Sequence, residues 1–267
     1  MRPDNDTAAL IHYWSGGDYP KLAAALGGNL HPRMMLALGP VRPGDPWLDV
    51  ATGTGTIALQ AARLGAAVTA QDLSPSMIRL AQAKALAAGL GVRFDVGDCQ
   101  EMPYPDGAFE VVTSAHGAVF APNHQAVARE ISRLCRPGGR MALSAWAPQG
   151  GFVELAALEV EIAGDGPLED SSPFGWGDPG YVASLLGDAF NLQFMTGSSP
   201  IRGKSPEAFT ELFWENSPRT AALRANLGPD REPELHEAML AFFTRHSSPS
   251  GVFVDRQYLI VTGKRRA

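Results

Sequence analysis

Cysteine is scarce in this sequence, with Cys99 and Cys135 the only two in 267 residues. Two cysteines cannot make the dense disulfide framework of a small secreted scaffold or a CxxC-type metal site, so no metal is expected. Long hydrophobic runs are also missing. No stretch approaches the roughly 20 apolar residues of a membrane-spanning helix. The first ten residues lack the basic-then-apolar pattern of a secretion signal. A cytoplasmic chain with no membrane partner is therefore expected. Clustered positive charge is confined to Lys264-Arg265-Arg266, which reads as a solvated tail, and the net charge is -6. A polynucleotide partner would want a basic stripe to neutralise its phosphates. Nucleic acid is thus a poor partner, and a small molecule is the expected one.

What is present is apolar material and glycine. Hydrophobic residues make up 45% and charged residues 19% of the chain, enough to bury a sizeable core in one large α/β domain or in a core with an inserted cap. Residues 5–40 read as two or three short helices, broken by Gly16-Gly17, Gly27-Gly28 and Pro32. From Trp47 the pattern changes to alternating elements: strands at 47–50, 67–70, 92–96, 109–113 and 140–146, with helices at 57–64, 75–88 and 124–135 between them. Ser74 ahead of Pro75 is a helix-start signal. Arg136-Pro137-Gly138-Gly139 closes the helix before the fifth strand. This alternation implies a parallel sheet with right-handed crossovers. Two later strands, 191–196 and 252–261, are expected as a pair at one sheet edge, with helical pieces between. The expected architecture is a Rossmann-like α/β fold. It has a seven-stranded, mostly parallel sheet, helices on both faces, an antiparallel last strand and an inserted helical cap. The expected divisions are a helical lid at 1–40, a core at 41–148, a cap and substrate region at 149–250, and a last strand with tail at 251–267.

The strongest chemical signal is Leu48-Asp49-Val50-Ala51-Thr52-Gly53-Thr54-Gly55-Thr56, a strand running through a Gly-rich turn into a helix. Glycines there allow backbone conformations and close approaches that a side chain would block. Asp72 follows Gly53 by 19 residues, where a carboxylate meets a ribose diol in nucleoside-binding and dinucleotide-binding folds alike. Gly53 to Ala58 even fits the dinucleotide fingerprint, so an NAD(P)-dependent oxidoreductase is the alternative. Asp49 argues against it, because a carboxylate is an awkward neighbour for an anionic pyrophosphate and suits a cationic sulfonium and ammonium. Gly97-Asp98-Cys99 after the third strand can offer hydrogen bonds to an adenine edge.

These segments resemble the class I S-adenosylmethionine-dependent methyltransferases, specifically the methyltransferase type 11, ubiquinone/menaquinone-biosynthesis-like group. The matching stretches are 47–59, 68–78, 96–114 and 131–148, in the family's order and spacing. The resemblance implies S-adenosylmethionine as cofactor, with S-adenosylhomocysteine as product. It places Asp49, Gly53 and Gly55 around the methionine part, with Ala51, Thr52 and Met77 also among the cofactor-binding residues. Asp72 would take the ribose, with Leu73 beside the adenosine, and Asp98 and Cys99 would face the adenine. Ser114 and His116, at the end of the fourth strand, would lie between cofactor and acceptor. Glu110 stands where the family commonly has Asp, and Cys99 where small or acidic residues are usual.

His116 is the candidate general base, since imidazole exchanges protons near neutrality; a polar lining role is the competing reading. Tyr19, His116, Phe120, Trp146, Phe152 and Trp176 are the candidate walls of a partly apolar acceptor pocket, although aromatic residues at such positions also serve as plain core. His124 reads as a surface or cap residue. A small-molecule acceptor, methylated on O, N or C, is the expected substrate, in secondary metabolism or quinone-like biosynthesis. A homodimer is one arrangement left open, and so is a protein of this fold that binds the cofactor without transferring methyl groups.

Overall fold

The computed structural model describes residues 11, 13–14, 16–164 and 172–267. The first ten residues of the expected lid and residues 165–171 of the Pro/Gly-rich stretch lie outside the described residues. The described residues divide into two compact units: those within 29–146, 172–197 and 258–267 form one, and those within 11–28, 147–164 and 198–257 the other.

The larger unit is built on a seven-stranded sheet. Its strands are β1 (Pro46–Val50), β2 (Ala67–Asp72), β3 (Val92–Val96), β4 (Phe109–Ala115), β5 (Cys135–Trp146), β6 (Phe190–Ser198) and, from the end of the chain, β10 (Gln257–Arg265). Their order is β3-β2-β1-β4-β5-β10-β6. β1 pairs in parallel with β2 and β4, and β4 in parallel with β5, while β10 runs antiparallel to β5. Successive residues of a strand point to opposite faces, so each inner strand supplies two cores. On one face Trp47, Val68, Ala70, Val111, Ala142 and Ile260 pack with Ile57 of the helix Thr56–Arg63 and Met34 of the helix Leu30–Leu38. On the other, Leu48, Val50, Val112 and Leu143 pack with Ile131 of the helix His124–Leu134 and Val182 of the helix Pro179–Leu186. Near-continuous burial along β1 and β4 is what coverage on both faces requires.

The fold class matches the expectation, with three corrections of extent. The fifth strand starts at Cys135 rather than Arg140, and the register slips between Phe109 and Val111, so the Arg136 to Gly139 stretch is a bulged strand start and not only a helix stop. The expected strand 252–261 is two strands. Gly251–Val254 (β9) pairs with β7 (Ile201–Gly203) and β8 (Ser247–Ser248) in a small sheet of the other unit, and only Gln257–Arg265 enters the large sheet. The chain breaks at Arg256, whose buried guanidinium donates to the carbonyls of Ser199, Leu26 and Gly27. Lastly, the helix Leu30–Leu38 belongs to the sheet unit, because Leu30, Met34 and Leu38 are buried against it.

The smaller unit gathers the helices Tyr19–Leu26, Gly151–Ala163, Pro206–Asn216, Pro218–Leu227 and Glu232–Arg245 around Phe209, Phe213, Leu235, Met239, Phe242 and Phe243. Among the described residues, no helix is long and apolar enough to cross a membrane.

Glu110, one methylene longer than the expected Asp, is buried in the larger unit, pairs with Arg136 and reaches the Arg140 Nε at 4.0 Å. Glu110→Ala leaves both guanidinium groups without that acceptor and is expected to lower stability by about 1–2 kcal/mol. Urea unfolding checks this; an unchanged midpoint would show that the pairs contribute nothing.

Candidate active site

The Gly-rich turn is held from below by Asp49. Its Oδ2 accepts from the Thr52 hydroxyl at 2.5 Å and the Ala58 N–H at 3.2 Å, and its Oδ1 from the Thr113 hydroxyl at 2.8 Å. Thr113 is itself fixed by the Trp47 indole N–H at 2.9 Å. The carboxylate is buried, 2% exposed, so both oxygens serve the protein. Asp49 thereby shapes the Gly-rich turn from within the sheet. Burial raises its pKa to about 6 against the opposing hydrogen bonds from Thr52, Thr113 and Ala58, with the Asp72 charge adding to the rise.

Past β1 the backbone turns sharply. Ala51 has φ 50°, the left-handed region that L residues seldom adopt, and Gly53 and Gly55 follow at 55° and 82°. The Thr52 N–H is tied to the Gln71 carbonyl at 2.9 Å. A Cβ on Gly53 would meet nothing within 4 Å, whereas one on Gly55 would press on Ala81 at 3.2 Å. Gly53 therefore faces open space, and Gly55 serves packing against the helix Pro75–Ala87.

Asp72 closes β2 beside this turn. Its carboxylate accepts the Gly53 N–H at 2.7 Å and the Ser74 N–H at 2.9 Å, and burial raises its pKa. It thus caps the turn that follows β2 and at the same time stands against the Gly-rich turn. Ser74 begins the next helix as expected, with the Met77 N–H at a long 3.5 Å from its hydroxyl; Met77 is buried and Leu73 half-buried. After β3, Asp98 folds onto Gln100, accepting its N–H at 2.8 Å and its side-chain amide at 3.0 Å. Cys99 is half-buried in the same turn, and burial pushes its thiol pKa well up. The Ser114 hydroxyl accepts the Ala118 N–H at 3.0 Å and is buried. It thereby precedes the short 3-10 turn Ala118–Phe120.

His116 sits at the tip of β4 with φ 59°, also left-handed. That conformation turns its ring flat against Trp146 at the tip of β5, with centroids 4.0 Å apart and planes 14° from parallel. Gly117 makes this possible, because a Cβ there would lie 2.4 Å from the Ala51 carbonyl oxygen and 2.6 Å from its Cβ. The tips of β1 and β4 are therefore in backbone contact.

The structure thus brings Ala51, Gly53, Asp72 and His116 to one end of the sheet, with Trp146 beside His116. It does not add Trp176 as a pocket wall. That ring is 2% exposed in the apolar core, edge-on to His124 at 5.5 Å. Phe120 is partly buried against the same core. Tyr19 and Phe152 belong to the smaller unit, Tyr19 edge-on to Trp14 at 5.7 Å and Phe152 against that unit's apolar core. His124 is buried rather than on the surface, its Nδ1 2.8 Å from the Tyr181 hydroxyl. Thr113 and Gly117 were missed in the sequence. Thr113 reads there as one more residue of an apolar strand, while a glycine directly after His116 was a usable signal.

A sheet of this order with a Gly-rich first turn and an acid closing the second strand defines the class I S-adenosylmethionine-dependent methyltransferases, and the chain belongs to that family. A family described as "Methyltransferase domain" matches residues 48–143. An uncharacterized protein of Mycobacterium tuberculosis is 32% identical over 278 residues, covering 98% of this chain and 97% of the relative. Nocamycin O-methyltransferase of Saccharothrix syringae is 30% identical over 257 residues, covering 88% and 90%. Among solved structures, one described as "Conversion of a Disulfide Bond into a Thioacetal Group during Echinomycin Biosynthesis" shares the fold with a TM-score of 0.62 at 22% identity, covering 98% of this chain and 93% of that one.

Proposed function

We propose that this methyltransferase uses S-adenosylmethionine to methylate an oxygen of a small, partly aromatic molecule, releasing S-adenosylhomocysteine. The observation that carries the reading is the pair of buried carboxylates, Asp49 and Asp72, standing against a left-handed turn whose Gly53 opens onto free space. These residues suit that cofactor. Open space over bare backbone admits a ligand at close range. Two carboxylates whose pKa values burial has raised are relieved by a cation and would oppose the anionic pyrophosphate of a dinucleotide. Asp72 at the end of β2 suits the ribose diol, and the Asp98-Cys99 turn the adenine.

When bound, the cofactor supplies an already activated methyl group. The chain must then hold the acceptor in line and exclude water, which together can provide much of the rate. The flat His116–Trp146 stack offers an aromatic surface at the strand tips. The His116 imidazole is the group there able to take a hydroxyl proton. The O-methyltransferase relative favours oxygen as the accepting atom.

Calorimetry with S-adenosylhomocysteine and, separately, NADH tests the cofactor; heat with NADH alone would overturn the reading. Methyl transfer is tested with labelled cofactor against a panel of phenols, amines and carbon acids, and products confined to protein or RNA would refute a small-molecule acceptor. His116→Asn keeps a residue that tolerates left-handed backbone. It is expected to lower kcat by 10-fold to 1,000-fold, to remove the acidic limb of the pH–rate profile and to leave S-adenosylhomocysteine affinity unchanged. A variant with the wild-type pH profile would exclude proton transfer at this position.

A further inference from the structure

At the opposite end of the same sheet, where β4 and β5 begin, lies an open cavity of about 750 Å³. Arg140 and Lys264, paired across β5 and β10, line it together with Arg42, Arg136, Gly138 and Glu110. Four cations thus face one carboxylate on a chain whose net charge is -6. The carboxylate is already taken: Glu110 is buried and paired with Arg136, with the Arg140 Nε at 4.0 Å. Arg140 is committed too, donating to the carbonyls of Leu38 at 3.3 Å and Pro40 at 2.8 Å and pairing with Asp45 at 3.3 Å. The other cations differ. Arg136 engages Glu110 through Nε alone, and it is 52% exposed. Among the described residues, no side-chain hydrogen bond or ion pair engages the Nη groups of Arg136, the guanidinium of Arg42 or the ammonium of Lys264. The floor is open as well, since a Cβ on Gly138 would meet nothing within 4 Å.

Like charges gathered in one concavity repel each other and raise the local potential, which favours a counter-ion of several charges over single ones. Two guanidinium forks and an ammonium match the tetrahedral oxygens of phosphate, which arginine chelates in pairs. We propose that this cavity binds a small polyanion carrying a phosphate group, with pyrophosphate as its simplest form. The site is separate from the methyl-transfer site. Trp146, at the other end of β5, is about 20 Å from Arg140 at roughly 3.3 Å per residue, and the proposal does not depend on the cofactor reading.

The test is calorimetry of pyrophosphate, with citrate as a carboxylate competitor, against the wild type, Arg136→Gln and the double variant Arg42→Gln/Lys264→Gln. The exposed Arg42 and Lys264 should be replaceable without loss of fold, which a thermal melt checks. Expected is saturable one-to-one binding that weakens at least tenfold in either variant and again on raising salt, while S-adenosylhomocysteine affinity does not move. Pyrophosphate binding that survives the double variant, or an absence of saturable binding to the wild type, would overturn the proposal. Citrate binding tighter than pyrophosphate would overturn the assignment to phosphate.

Discussion

Asp49→Asn is expected to weaken cofactor binding at pH 8 by tenfold or more and, in the same protein, to abolish a loss of stability that the wild type suffers between about pH 4 and pH 6. The folded chain holds Asp49 with a pKa of about 6, above its ordinary 3.8. Between those values the folded form keeps a proton that the unfolded chain has released. Stability is therefore greatest below the unfolded value and declines as pH rises through the folded one. Two units correspond to about 3 kcal/mol, so the effect on a urea or thermal unfolding series is large, and subtraction of the variant isolates it from other carboxylates. A cation at the strand tips favours the ionised form, so wild-type affinity should climb with pH through about 6 while the variant's stays flat. Calorimetry with S-adenosylhomocysteine at pH 5.5 and 8 measures this through the ammonium group, and with S-adenosylmethionine through both cationic groups. Equal affinities for variant and wild type at pH 8 would end the claim that Asp49 acts electrostatically on the cofactor.

The second large effect is steric. In Gly117→Ala, a methyl group would sit 2.4 Å from the Ala51 carbonyl oxygen and 2.6 Å from the Ala51 Cβ. One of these atoms is backbone and the other is bonded to it, so neither can swing away as the end of a long side chain would. Overpacking of this kind costs about 1–3 kcal/mol. Because the strain separates the tips of β1 and β4, it should also displace the His116 ring and lower kcat by more than tenfold. Ala51→Gly tests the same contact from the other side. It removes the Cβ and relieves a left-handed alanine, worth roughly 1–2 kcal/mol, partly offset by the greater freedom of glycine in the unfolded chain. Combined with Gly117→Ala, it should restore part of the lost stability and activity. If Gly117→Ala alone kept wild-type stability and turnover, the close approach of the two strand tips would have no functional weight.

The core fold was legible in the order of residues because its signals are local and periodic. Apolar strands such as 47–50 and 109–113, covered on both faces, read as unbroken hydrophobic runs. Ser74-Pro75 announces its helix, and Gly53 and Gly55 mark a turn that other residues enter only with strain. Spacing alone put Asp72 opposite that turn. The roles of individual polar groups were not legible in the same way. Asp49 also accepts from Thr113, Thr52 and Ala58, and Ser114 from Ala118, partners that the residue pattern does not announce. A hydrogen-bond partner 64 residues away leaves no trace in a strand pattern. The split of the last strand at Arg256 was hidden for a similar reason: the apolar pattern continues on both sides, and only buried carbonyls from distant segments draw the guanidinium inward. Local chemistry thus determined which elements form and where the Gly-rich turn lies. Which carboxylates are buried, which histidine lies flat on a tryptophan and which cations share a cavity were decided by long-range packing, because burial and charge depend on neighbours that the chain brings together only when it folds.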